Sequence, residues 1–419
     1  MTDVVLMFEV HQPYRLDKRF REKLAKKAQE KGKLTSEDLE EAYFDHGLNK
    51  IVMERAAKRC YLPANKAVLE AIDRFKGGAR EFKVSYSISG VFIEQAKRWA
   101  PEVIDSFRDL VGTGRVEILD QTYYHSLACV VSDDELVEQV LEHRALMKDL
   151  FGVEPTAAEN TEFIYNNRIA GIFDKLGYKV IFTEGAERIL AWRSPNYVYK
   201  AKDSGIRVLL RNYRLSDDIG FRYAARWWEE YPLTPDKYAA WLAHTPGDVI
   251  NLCIDYETFG EHFPPETGII EFLRELPEAV LRRENLSFAT PTEAAYKYEP
   301  RGELDVPEHL TVSWADLERD LSAWLMNEMQ YKAFDLVKRN EERVKKLGDP
   351  GYLRLWRLLM ISDHFYYMST KGAGPGDVHS YFSPYGTALD AYSTFIGIYS
   401  DFESRIIEAE QRSSSEGLR

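Results

Sequence analysis

Cysteine is scarce: the 419 residues contain three, Cys60, Cys129 and Cys253. They share no metal-like spacing, and two lie in apolar, strand-like runs. They read as buried, reduced thiols and not as a disulfide framework or a zinc site. Histidine is also sparse, at nine residues, with no pair at ligand spacing beside an Asp. The Asp-and-two-His triad of a metal-dependent polysaccharide deacetylase therefore has little to draw on. That reading stays a remote alternative, and neither metal nor cofactor is expected. Uninterrupted apolar runs never approach the roughly 18 residues of a membrane span. The start, Met1 to Leu6, lacks a basic stretch and a cleavage pattern. The expectation is a cytoplasmic chain with no membrane partner. Positive charge is outweighed, 55 Lys and Arg against 68 Asp and Glu, for a net −13. That balance argues against a nucleic-acid partner, which would need a basic footprint.

What is present is aromatic and periodic. Tyr numbers 25 and Trp 8, with 45% hydrophobic residues overall. Such rings line sugar sites by stacking, but more often they fill cores. Strand-like and helix-like segments alternate through about residue 290, the spacing of βα units closing into a parallel barrel. Seven or eight strands are expected, among them Val4–Val10, Phe82–Ile88, Tyr178–Phe182, Ile206–Leu210, Val249–Ile254 and Leu286–Phe288. Beyond residue 310 only helical patterns survive, over 314–347, 350–369 and 386–411. The expected architecture is α/β: a distorted (β/α)7 barrel over 1–300, with a solvated helical insertion near 17–60. An all-α C-terminal domain over 301–419 is expected to complete the active-site cleft, and its last residues, 413–419, to fray. Oligomeric state is not readable.

The sharpest stretch runs from Asp248 to His262. Val249 to Ile254 is a strand buried on both faces, as in a parallel sheet under helices. The chemistry then changes within a few residues to Asp255, Glu257, Glu261 and His262, with Gly260 allowing a turn. Barrels build their sites at the C-terminal ends of strands. Crowded carboxyls cannot all ionise cheaply, and one held protonated can serve as an acid near neutral pH. A polar loop after a core strand fits the same spacing.

Other strand ends repeat this arrangement. Val4–Val10 delivers His11, with Glu9 two residues earlier on the same face. Gly114–Ser126 carries Glu117 inside an apolar run and His125 just beyond it; a structural ion pair explains Glu117 equally well. Pro155–Asn167 is short, acidic and rich in small residues before a helix near Arg168, and a carboxylate on such a strand-to-helix turn is well placed to face a substrate. Ser313–Gln330 reads as a helix capped by Ser313, with Asp320, Trp324 and Asn327 on one face. The stretch Asp377–Tyr385 is more aromatic than a loop needs.

Taken together these segments resemble glycoside hydrolase family 57, whose five motifs appear in order along nearly the whole chain. His11-Gln12-Pro13 is similar to the first and Gly114–His125 to the second. Asn160–Tyr165 is similar to the third, Asp255–His262 to the fourth and Ser313–Gln330 to the fifth. The resemblance implies a barrel with a helical C-terminal domain, a retaining mechanism, Glu162 as nucleophile and Asp255 as general acid/base. It implies substrate contacts from His11, Glu117, His125, Glu257, His262, Trp314, Asp320 and Trp324, on an α-glucan or maltooligosaccharide. The segments look most like the α-amylase branch, which implies cleavage of α-1,4 bonds. A 4-α-glucanotransferase or branching activity is the nearest alternative. One departure is plain: many members carry His-x-His-Gln-Pro, and here Glu9 takes the first His position.

Overall fold

The computed structural model describes residues 1–371 and 383–416, with side chains to 412. Most of the aromatic stretch 377–385 and the terminal residues 417–419 lie outside the described residues. Among the described residues ten strands occur in chain order: β1 (Thr2–Val10), β2 (Val84–Ile88), β3 (Val116–Leu119), β4 (Ala157–Glu159), β5 (Val180–Glu184), β6 (Tyr199–Ala201), β7 (Arg207–Arg211), β8 (Val249–Asp255), β9 (Leu286–Phe288) and β10 (Glu303–Leu304). Seven of them form a parallel ring. β1 pairs β2 and β8, β2 pairs β3, β4 pairs β5, β5 pairs β7, and β7 touches β8. The ring closes between β3 and β4 through a single bridge, Asp120 to Ala158.

Two seams are thin, and they distort the barrel. At the β3–β4 seam, Asp120 N–H donates to the Ala157 carbonyl at 3.1 Å and Glu159 N–H to the Asp120 carbonyl at 2.9 Å. β7 and β8 share one ladder position, Arg211 with Asn251. There the Asn251 side-chain amide donates to the Leu210 carbonyl at 2.9 Å, standing in for the missing ladder. The short strands β6 and β10 extend the sheet beyond β7, and β9 lies beside the start of β1. β6 and β10 are too short for alternation to reveal in sequence.

Strand parity divides the core in two. Val4, Leu6, Phe8 and Val10 join Tyr86, Ile250, Leu252 and Ile254 in one cluster with the surrounding helices. Val5 and Met7 join Leu119, Ala157, Val180, Phe182, Leu209 and Cys253 in the other, which fills the ring's interior. Ala294 and Ala295 belong to that inner cluster, so the helix Pro291–Lys297 packs into the interior. Its start carries the expected capping box, Thr290 with Glu293. All three cysteines are buried and none forms a disulfide. Among the described residues no helix is long and apolar enough to cross a membrane.

Contacts group the chain into two compact units, one of Met1–Gln12, Val52–Tyr123 and Val137–Asp320, the other of Pro13–Ile51, Tyr124–Leu136 and Leu321–Arg419. The first holds the barrel. The second holds the helices Phe20–Lys31 and Ser36–Tyr43 of the expected insertion and the C-terminal helices. One expectation is corrected: residues 314–327 form no α-helix, only a single 3-10 turn at Leu321–Ala323. The helix begins at Glu328, where Asn327 and Gln330 form a reciprocal cap. Upstream, Asp316 and Arg319 adopt positive φ, at 58° and 51°, which no α-helix accommodates. Ser313 does act as a local cap, but of a turn, accepting from Ala315 N–H and donating to the Asp320 carbonyl.

Candidate active site

The inner face that carries Val5 and Met7 reaches its next position at Glu9, and the face that carries Cys253 reaches Asp255. The two are directly paired in the β1–β8 ladder. The same parity brings Glu159 to the end of β4, Glu184 to the end of β5 and Arg211 to the end of β7. An apolar interior thus changes to charged groups within one layer at the strands' C-terminal ends. Burial, the neighbouring charges of Glu159, Glu162 and Asp255, and a hydrogen bond with Glu159 push the Glu9 carboxyl well above the usual range.

Glu162 follows β4 in a tight turn, Thr161–Phe163, where Glu162 and Phe163 sit at φ of 60° and 55°. Such a conformation in non-glycine residues costs about 1–3 kcal/mol and persists only where surroundings enforce it. The enforcement is visible. Trp314 N–H donates to the Glu162 carbonyl at 3.2 Å, and the Trp314 indole Nε1 donates to Glu162 Oε2 at 2.7 Å. The indole stacks on Phe163, ring centroids 4.8 Å apart, and the Arg211 guanidinium lies 5.6 Å from its centre. Arg211 in turn binds Glu184 at 2.9 Å and Asp217 at 2.6 Å. Glu184 is pushed up to about 7 by burial, with Arg211 opposing and Asp217 adding to the rise.

Glu257 does not stand beside Asp255 as an equal partner. It accepts from the Tyr61 hydroxyl at 2.7 Å and the His11 N–H at 3.2 Å, and Gln12 reaches the same hydroxyl at 3.1 Å. Burial pushes it up to about 8, the Tyr61 hydrogen bond opposing and the Asp255 charge adding. His11 Nδ1 lies 2.8 Å from Ser89 Oγ. His262 is half-buried, and desolvation pushes its imidazole down toward the neutral form. Glu261 is gripped by Arg55 at 2.6 Å, which ties down the turn after β8. Gly260, at φ 134°, lies so close to the Arg59 carbonyl that a Cβ would meet its oxygen at 2.1 Å.

Glu117 stands apart from this layer. Glu117 pairs with Ser85, two residues before the ladder position Ser87 that Glu9 shares, and accepts from Thr292 N–H at 2.9 Å. It anchors the Pro291 helix, and the structure does not bring it to the charged layer. Asp320 is half-buried in the loop that carries Trp314. His125, at φ 50°, and Trp324 belong to the second unit; Trp324 is fully buried, its ring 6.3 Å from Tyr366. Glu159, Glu184, Arg211 and Tyr61 were missed as site candidates. Parity counted from the inward residues of each strand finds the first three; nothing local marks Tyr61. Among the described residues no three His, Cys, Asp or Glu side chains are grouped as a metal ion would need.

Residues 5–307 match the family described as glycosyl hydrolase family 57. A Methanocaldococcus jannaschii protein carrying a provisional alpha-amylase name is 48% identical over 415 residues, 97% of this chain and 85% of that one. A 4-alpha-glucanotransferase of Thermococcus litoralis is 24% identical over 318 residues, 74% of this chain but only 44% of that enzyme. Among solved structures, a GH57 branching enzyme from Thermococcus kodakaraensis superposes with a TM-score of 0.67 at 14% identity, covering 97% of this chain and 90% of that one. The motifs, the distorted seven-stranded barrel and these matches have one reading: the chain belongs to glycosyl hydrolase family 57.

Proposed function

We propose that this chain is a retaining glycosidase acting on α-1,4 bonds of starch- or glycogen-type glucans or maltooligosaccharides. Glu162 attacks the anomeric carbon and forms a covalent glycosyl-enzyme. Asp255 protonates the departing oxygen, then takes a proton from the water that releases the sugar. One observation carries this reading: Asp255, the ladder partner of Glu9 at the end of β8, and Glu162, in the turn just past the end of β4, are distant in sequence but both stand at the C-terminal ends of the ring's strands. The Trp314 hydrogen bond also supports it, since a nucleophile must be aimed. His11, His262 and Asp320 are proposed to meet sugar hydroxyls. Trp314 touches Glu162 and Phe163, so its role is to aim the nucleophile more than to offer a stacking face.

Trapping tests the assignment. A 5-fluoro-glucosyl fluoride forms a long-lived ester with a retaining nucleophile, and mass spectrometry of the digest should find it on Glu162. A label elsewhere rejects the assignment.

Transfer to a glucan hydroxyl uses the same intermediate, and the glucanotransferase and branching relatives favour weighing it. Pure maltoheptaose separates the cases: a hydrolase yields only shorter sugars, a 4-α-glucanotransferase yields longer chains, and a branching enzyme yields α-1,6 linkages.

A further inference from the structure

Arg211 ends β7 two residues beyond Leu209 of the inner cluster, so strand parity turns its side chain into the ring. It is 5% exposed. Each of its three side-chain nitrogens donates to a different element. Nε donates to the Cys253 carbonyl on β8 at 2.9 Å and Nη1 to Glu184 on β5 at 2.9 Å. Nη2 donates to Asp217, on the helix Tyr213–Gly220, at 2.6 Å. A planar guanidinium makes this fork, keeps its charge at every working pH, and has no lysine equivalent.

What the fork fixes is the place of a charge. The guanidinium carbon lies over the Trp314 ring, 5.6 Å from its centre, within reach of a cation–π attraction. The same indole donates from Nε1 to Glu162 Oε2 at 2.7 Å. A cation over the ring draws π density toward itself and leaves the N–H a stronger donor. The loop behind the ring is held separately. Arg188 donates to the carbonyls of Thr311, Glu318 and Arg319 at 2.9, 2.9 and 2.8 Å. One arginine anchors the backbone of the loop, and another addresses the ring it carries.

We propose that Arg211 is a positioning residue for the nucleophile, acting through the Trp314 indole: it fixes the ring and strengthens the N–H that aims Glu162. This rests on the reading of Glu162 as the nucleophile. Aim counts most as the carboxylate closes on the anomeric carbon, and little while the sugar merely binds. Loss of Arg211 should therefore lower kcat and leave KM nearly unchanged. The fork also braces the thin β7–β8 seam, where the two strands share one ladder position. Stability and aim must accordingly be read apart.

The experiment measures kcat and KM on maltoheptaose, and Tm, for Arg211→Gln and Arg211→Lys, each alone and combined with Trp314→Phe. Arg211→Gln should lower kcat about 10-fold, with KM within about twofold of the wild type. Arg211→Lys keeps a cation on the stem but not the fork. It should lose Tm as the Gln variant does, yet hold kcat within about threefold of the wild type. In the Trp314→Phe background no indole donor is left, so adding Arg211→Gln should lower kcat by less than about twofold more. Losses that multiply in the double variant, or a Lys variant as slow as the Gln variant, overturn the proposal and leave Arg211 a brace of the seam. Where Arg211→Gln folds poorly, Arg211→Gln with Glu184→Gln replaces it in every comparison, since that pair leaves no unpartnered glutamate behind. Fluoro-sugar labelling separates the two layers. A wild-type label off Glu162 sinks the underlying assignment; a label on Glu162 with multiplying losses sinks the role of Arg211 alone.

Discussion

Trp314 and Glu162 are joined twice, backbone N–H to carbonyl at 3.2 Å and indole N–H to carboxylate at 2.7 Å. The double link holds a strained residue in place and aims its side chain with one partner. Trp314→Phe keeps the stack on Phe163 and removes only the indole donor. A hydrogen bond to a carboxylate is worth about 1.5–3 kcal/mol. Steady-state kinetics should show kcat down by roughly 10- to 150-fold, with KM and Tm nearly unchanged. A fall in Tm with unaltered kcat would instead make the link purely structural.

Glu162→Gln and Asp255→Asn should each lower turnover of soluble starch by at least about 100-fold. Neither changes side-chain volume, so thermal melts should match the wild type. Near-normal hydrolysis by either variant rejects its assigned role.

Glu257 gives a pH signature. Its carboxyl titrates at about 8 in the fold, against 4.5 for the free group. Its folded value is raised, so its favourable contribution is complete below about 4.5 and is lost as pH climbs to about 8. Glu257→Gln has no proton to release. Across that window the variant should gain on the wild type by a few kcal/mol, read as a widening difference in Tm. Parallel melting curves over the whole range would contradict it.

Gly260→Ala should destabilise the chain. Its φ of 134° and the 2.1 Å approach to the Arg59 carbonyl leave no room for a methyl group. The backbone conformation alone costs a side-chain-bearing residue about 1–3 kcal/mol, and the overlap adds to it. Differential scanning calorimetry should record a Tm several degrees lower, and activity should fall with it, because the turn carries Glu257 and His262.

The strand ends were legible because buried parallel strands are apolar on both faces, and a charge at their close stands out. Asp255, Glu162 and His11 could be read that way. The seams could not: one bridge at Asp120 and one ladder position at Arg211 leave no periodic trace. Nor could the Trp314 loop. Ser313 and the apolar spacing behind it read as a helix, and only the positive φ at Asp316 and Arg319 breaks it. Glu257 shows the limit of counting. Spacing set it beside Asp255, but a tyrosine far upstream turned it to hold the His11 backbone instead.

β1 precedes all of its partners in the chain and takes three neighbours: β2, β8 and β9. Two of those are synthesised more than two hundred residues later. Until they arrive, a strand with an unbroken apolar run from Val4 to Phe8 has one short partner at most. Contact order this high slows folding and leaves an adhesive edge exposed meanwhile. Translation speed and chaperone supply, more than final stability, should therefore govern how much of this protein is recovered in soluble form.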